Sequence, residues 1–176
     1  MGAQDERERF FDQIETHKKI LFKIARSYCR RPADRDDLVQ EITLQLWRSY
    51  RRFDGRSKFS TWMYRVALNV AISCSRREAA QGGQAGVDGE IPATTDDAGA
   101  ETEDVRMLYR CIEGLDALNR AVLLLYMDDN SHQEIAEVLG ISATNVGTKI
   151  GRLKQQIREQ FNSANHTRNG ERYGTR

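Results

Sequence analysis

"SHQEIAEVLGISATNVGTKIGRLKQQIRE", Ser131 to Glu159, opens with Ser131 and Glu134 in the S-x-x-E spacing of a capping box, in which hydroxyl and carboxylate each satisfy an amide at a helix start. Ile135, Ala136 and Leu139 then recur on one face and supply the buried side of that helix. Gly140 ends it at a tight turn, where glycine tolerates the left-handed backbone such turns use. Ser142 caps a second helix whose buried stripe is Ala143, Val146, Ile150, Leu153 and Ile157. A small residue at Ala136, glycine at 140 and Val146 behind the turn are the spacing of a helix-turn-helix, whose second helix enters the DNA major groove. A helical hairpin with no DNA role is the plainer reading of the same pattern.

The outward face of the second helix reads Thr144, Gly147, Thr148, Gly151, Arg152 and Gln155, with Asn145, Lys149 and Lys154 at its borders. Two glycines inside a helix cost roughly 1 kcal/mol each against alanine. On an exposed face they are explained either by close approach of backbone to DNA or by tolerated poor propensity. Thr148, Arg152 and Gln155 have the chemistry to read base edges, and Lys149 and Lys154 that to hold phosphates.

Upstream of this unit, from Ala79 to Asp104, the chain is rich in Gly, Ala, Asp and Thr and lacks apolar periodicity. Glu78 to Asp104 holds eight acidic residues and no basic one, whereas Arg26 to Arg77 holds twelve basic and five acidic, a surplus of seven. The net charge of +1 therefore hides a basic segment followed by an acidic one. The expected organisation is all-α: an N-terminal helical domain over 1–80, a flexible acidic linker over 81–104, a C-terminal helical domain over 105–161, and a polar, disordered tail over 162–176.

In the N-terminal domain apolar residues recur at three and four. They predict a first helix with Phe10, Phe11 and Ile14, and a second with Ile20, Leu21, Ile24, Ala25 and Tyr28 that stops near Pro32. A third begins after "PADRDD", whose aspartates suit the positive end of a helix dipole, and runs to about Tyr50. The loop "RRFDGRSKF" leads to a fourth, with Ser60 as its cap.

At 100° per residue the third helix buries Val39, Ile42, Leu46 and Tyr50. Opposite lie Asp37, Gln40, Glu41, Leu44 and Arg48. A solvated polar face accounts for most of these, but a leucine ringed by charges belongs to a protein-docking patch. The fourth helix gathers Met63, Val66, Ala67, Val70, Ala71 and Cys74 on one side and Trp62, Arg65, Asn69 and Ser73 on a flank. Trp62 has the option of completing the core edge; Arg65 and Asn69 have no such reason to be there. Arg56 and Lys58 precede the helix and Arg76 and Arg77 end it. Cations, an aromatic and an amide interleaved in this way hold single-stranded nucleic acid through phosphates, stacking and base edges.

Cys29, Cys74 and Cys111 lie far apart, with no CxxC pair and no histidine at ligand spacing, so the sequence calls for neither metal nor cofactor and for three reduced thiols. The longest purely apolar run, Ala121 to Met127, is too short to cross a bilayer, and the N-terminus carries Asp5, Glu6, Arg7, Glu8 and Arg9 where a signal peptide is apolar. A cytoplasmic protein with no membrane partner is expected. A metal-dependent nuclease using Asp34, Asp36, Asp37 and Glu41 is disfavoured, because capping explains acids at a helix start and no histidine or lysine base accompanies them.

With these residues in place, the chain resembles the small two-domain alternative sigma factors of bacterial RNA polymerase, the extracytoplasmic-function type of the sigma-70 family. "DDLVQEITLQLW" is similar to the family's polymerase-docking helix, "FDGRSKFSTWMYRVALNVA" to its −10 segment and "SHQEIAEVLGISATNVGTKIGRLK" to its −35 reader. The resemblance implies a non-enzymatic protein that directs promoter-specific initiation, with core RNA polymerase and promoter DNA as partners. It implies that Asp37, Gln40, Glu41, Leu44 and Arg48 meet the clamp helices of the largest polymerase subunit, the flap of the second largest being a further contact. Phe53 and Asn69 would hold a base flipped from the non-template strand, supported by Trp62, Arg65 and the Asp54 to Lys58 loop. Thr144, Gly147, Thr148, Lys149, Arg152, Lys154 and Gln155 would bind the −35 duplex. An anti-sigma factor is the family's usual means of control, with phosphorylation by a regulatory kinase or the tail as alternatives. The chain departs from the family at Gly147, where many members carry a basic residue, at Asn119, where many carry proline, and at Arg35, inside the acidic cluster. The main competing reading is a stand-alone helix-turn-helix regulator, which leaves the N-terminal surfaces unexplained.

Overall fold

The computed structural model describes residues 3–80 and 102–172, and every regular element in them is helical. Most of the expected linker, 81–101, lies outside the described residues. Two compact units result, the first built from α1 (Ala3–Tyr28), α2 (Pro32–Tyr50) and α3 (Phe59–Ala80), the second from α4 (Glu103–Glu113), α5 (Ala117–Met127), α6 (His132–Leu139) and α7 (Ala143–Arg172).

Each of α1, α2 and α3 packs against the other two. Phe10, Leu21 and Ile24 from α1 meet Leu38, Ile42 and Leu46 from α2 and Phe59, Met63, Ala67, Leu68 and Ala71 from α3 in one core. The two short helices expected before Pro32 are one continuous helix. No glycine or proline falls between Ile14 and Ile20, and the Thr16 hydroxyl donates to the Asp12 carbonyl at 2.8 Å without breaking the ladder. Helix α2 starts earlier than expected, with Pro32 in its first turn, where the missing N–H costs no hydrogen bond. Its aspartates therefore lie within the first turns, and Asp34 pairs with Arg31 at 3.1 Å. Helix α3 also starts earlier: the Lys58 carbonyl accepts from Trp62 N at 3.1 Å, so Ser60 sits inside the first turn and is not the cap.

The buried arcs are rotated from those read by periodicity. On α2, Leu38 is buried and Val39 and Tyr50 are only half-buried; on α3, Tyr64 and Leu68 are buried and Val66, Val70 and Cys74 half-buried. A helix wedged between two neighbours buries the side that faces both, and that direction is set by their positions as much as by its own apolar residues.

In the second unit α5 is the central helix, with Ala121 to Leu125 buried in succession. Its start is held twice. The Asp116 carboxylate accepts from Leu118 N and Asn119 N at 3.1 and 2.9 Å, and Arg120 donates to the carbonyls of Ile112, Glu113 and Leu115 at 3.1, 2.8 and 2.9 Å, tying the end of α4 to α5. Helix α4 takes in Glu103 and Asp104, which the composition assigns to the linker, because Thr102 caps it by accepting from Val105 N.

The helix-turn-helix forms as expected. Ser131 N donates to Glu134 Oε2 at 2.8 Å and Glu134 N to Ser131 Oγ at 3.2 Å, completing the capping box. Gly140 takes φ +67°, a left-handed conformation that costs a residue with a β-carbon about 1–2 kcal/mol. Asn145 N donates to the Ser142 hydroxyl at 3.2 Å. Val146, Ile150 and Leu153 are buried, Ala143, Leu139 and Ile157 half-buried, and Val138 joins the core unanticipated. Helix α7 does not stop at Phe161 but continues to Arg172, into the expected tail. Once a helix is nucleated each added residue gains one hydrogen bond, and no proline interrupts this one.

Candidate functional site

The outer face of α2 presents Asp37, Gln40, Leu44 and Arg48 to solvent, with Glu41 half-buried among them. Leu44 is 41% exposed, and one turn on Trp47 is 39% exposed, resting edge-on against the buried Phe10 ring with centroids 5.0 Å apart. The periodicity missed Trp47, although its spacing of three from Leu44 was the signal. Together they make a small apolar patch on a charged surface. Arg35 is turned away from this face: its guanidinium donates to the carbonyls of Cys29 and Arg30, each at 3.0 Å, satisfying the end of α1.

The second surface is built on α3 and the turn before it. Arg52 N and Phe53 N donate to the carbonyls of Ser49 and Tyr50, each at 2.9 Å, folding the chain back after α2. The Asp54 carboxylate accepts from Arg56 N at 3.1 Å and pairs with the Arg56 side chain at 3.1 Å, while Gly55 supplies φ +72°. That turn aims Phe53 back at α3. Its ring lies 5.1 Å from Trp62 and 5.7 Å from Phe59, with Phe59 and Trp62 5.3 Å apart. Tyr50 joins them at 6.3 to 6.4 Å. Trp62 thus does both things the sequence allowed: it closes the core edge and, being half-buried, keeps part of its indole at the surface.

From Trp62 the flank of α3 runs through half-buried Arg65 to exposed Asn69, Ser73 and Arg76, a stripe of about 21 Å at 1.5 Å per residue. Arg56 and Lys58 stand exposed at its head. Arg77 leaves the stripe, donating to Cys74 Sγ at 3.2 Å. Cys29 and Cys74 are half-buried and Cys111 buried, all three free thiols. Burial first, then the charges of Glu78 and Asp34 and the neighbouring Cys74, push the Cys29 thiol up to about 11, with Arg35 acting weakly the other way. Desolvation likewise raises Cys111.

The third surface is the outward face of α7. Thr144, Thr148, Gly151, Arg152 and Gln155 are exposed, with Asn145 exposed at the border. The Thr148 hydroxyl donates to the Thr144 carbonyl at 3.0 Å, and Gln155 Nε2 to Glu159 at 3.0 Å. The two lysines are engaged inside the unit. Lys149 Nζ donates to Asn119 Oδ1 at 3.0 Å, and Lys154 Nζ donates to the Tyr126 hydroxyl at 2.6 Å, lying 4.5 Å from that ring's centroid. Asn119 therefore serves as acceptor for a lysine of α7, a role proline has no group for. Gly151 faces open space, while Gly147 is half-buried under the ring of His132.

No group of three or more histidine, cysteine or acidic side chains that could hold a metal occurs among the described residues, and no helix there is long and apolar enough to cross a membrane. What the surfaces offer is binding: an apolar and acidic patch, an aromatic-headed polar stripe, and a groove-sized helix.

Residues 13–81, the first unit with most of its surfaces, match the family model of sigma-70 region 2, and residues 106–157 match that of sigma-70 region 4. The chain is 28% identical over 176 residues to the ECF RNA polymerase sigma factor SigW of Bacillus subtilis, covering 91% of each, and 28% identical over 138 residues to the ECF RNA polymerase sigma-E factor of Escherichia coli, covering 70% of this chain and 72% of that one. In fold it is similar to the sigma factor RpoE from Bartonella quintana, solved with the anti-sigma factor NepR, at TM-score 0.70 and 16% identity over 91% of this chain and 98% of that one. It is also similar to CnrH, solved with the cytosolic domain of CnrY, at TM-score 0.65 and 24% identity over 89% and 90%.

Proposed function

The chain belongs to the extracytoplasmic-function sigma factors of the sigma-70 family, non-enzymatic proteins that direct RNA polymerase to initiate at specific promoters, and from that premise we propose how its residues divide the work. Asp37, Gln40, Glu41, Leu44 and Arg48, joined by Trp47, dock the clamp helices of the largest polymerase subunit; the exposed leucine and tryptophan supply desolvation energy and the charges register. The stripe on α3 takes the melted −10 element. Phe53 and Trp62 stack on a flipped base, Asn69 bonds its edge, and Arg56, Lys58, Arg65 and Arg76 follow the phosphates, with Arg77 off the stripe at its end. Opening then draws on binding energy alone, since unstacking a base costs only a few kcal/mol.

In the second unit Thr144, Thr148, Arg152 and Gln155 read the −35 duplex, Gly151 allowing close approach of the backbone. Lys149 and Lys154 are positioned by Asn119 and Tyr126, and each ammonium keeps N–H donors to spare for a phosphate. The observation that carries this assignment is the aromatic cluster of Phe53, Phe59 and Trp62 at the head of a stripe containing Asn69: one site offers stacking, an amide and cations together. A stand-alone duplex-binding regulator has no use for it.

Two solved relatives were captured with NepR and with the cytosolic domain of CnrY, which supports control of this chain by an anti-sigma factor, ahead of a kinase or the C-terminal tail. Work with polymerase on the chromosome places it in the cytoplasm. Run-off transcription with core polymerase on genomic templates tests the whole reading. Core-dependent starts at defined sites are expected, and stable duplex binding with no core-dependent start would reverse it.

A further inference from the structure

Gly147 lies in the middle of the α7 outward face yet is half-buried, because the His132 ring, carried by the first residue of α6, covers it. A β-carbon at 147 would sit 3.5 Å from His132 Nδ1 and 3.6 Å from Cε1, ordinary contact distances, whereas a longer side chain would have to share the space the ring fills. His132 itself is exposed, and no hydrogen bond or ion pair among the described residues takes up its ring nitrogens. Thr148 beside it and Thr144 and Gly151 one turn away carry short side chains or none, and the long side chains of that face, Arg152 and Gln155, stand further along α7.

We propose that His132 is part of the duplex-binding surface of the second unit, its imidazole standing where a side chain at 147 would otherwise reach and donating to a phosphate oxygen at the groove edge. A phosphate is the partner chosen, not a base, because the first helix of a helix-turn-helix crosses the DNA backbone while the second lies in the groove. Imidazole has the required chemistry in either charge state, with one N–H donor when neutral and two when protonated. The inference rests on α7 being the groove helix.

The test is holoenzyme, core polymerase with the full chain, binding a duplex promoter located by mapping transcript 5′ ends. His132→Ala should weaken binding about ten- to a hundredfold, as expected for loss of one hydrogen bond to a charged group, and, like Arg152→Ala, should gain nothing from a template already melted at −10. His132→Lys should restore affinity and, against the alanine variant, steepen the dependence of log K on log salt by about one. If His132→Ala binds normally while Arg152→Ala is impaired, the proposal fails and the role of α7 stands. If neither variant is impaired, the assignment of α7 itself falls. A loss in His132→Ala that lysine does not restore would make the ring mere packing for α7 and also overturn the proposal.

Discussion

Tyr64 is 3% exposed and its hydroxyl has no hydrogen-bond partner, an arrangement that leaves a desolvated donor uncompensated. Tyr64→Phe removes the hydroxyl and keeps the ring, so it should leave the first unit equally stable or stabilise it by up to about 1 kcal/mol in thermal or denaturant unfolding. A clear destabilisation would mean the hydroxyl is bonded. The thiols allow a second check. With its pKa pushed up to about 11, Cys29 holds little thiolate at pH 8 and should alkylate far more slowly than a free thiol, with the rate still rising as pH climbs towards 11. Labelling at the rate of an unhindered cysteine would contradict the burial that causes the shift. Neither feature is visible in sequence, because nothing in the spacing of Tyr64 or Cys29 tells which neighbours surround it.

Among the helices, α7 carries the sharpest local conflict, Gly147 and Gly151 on its outward face where propensity asks for something else. Gly151 faces open space, so Gly151→Ala should stabilise the second unit by about 1 kcal/mol in a melting experiment. If the same change weakens −35 binding, close approach to DNA is the reason the glycine is there; unchanged binding would leave only tolerated propensity. On α2 the expectation concerns charge. Glu41→Lys should reduce capture of core polymerase without lowering helix content, and undiminished capture would remove the docking assignment from that face. Periodicity placed the acids and Leu44 on that face and left Trp47 unassigned, although it lies one turn from Leu44 and is exposed beside it. The rotated arcs of α2 and α3 follow from the positions of the neighbouring helices.

Between the two units the proposed division of labour predicts different failures. Asn69→Ala should impair promoter opening, seen by permanganate reactivity of unpaired thymines, and be rescued on a template already melted at −10. Arg152→Ala should lower affinity for the −35 duplex by about 1–3 kcal/mol, discriminate less at one base pair, and gain nothing from a melted template. If both variants were rescued alike, the two surfaces would not have separate roles. The all-helical class, the two units, the capping box, the Gly140 turn and the order of the three surfaces were all legible in the residues, because caps, glycines and apolar periods act over a few positions and leave a local record. Where α1 runs unbroken, which arc of α2 and α3 is covered, that Phe53 folds back onto Trp62, that Asn119 and Tyr126 hold lysines and that His132 covers Gly147 came from the packed structure. Those facts depend on residues thirty or more positions apart meeting through a shared core, and such contacts are set by how helices fit together and not by any pattern along one of them.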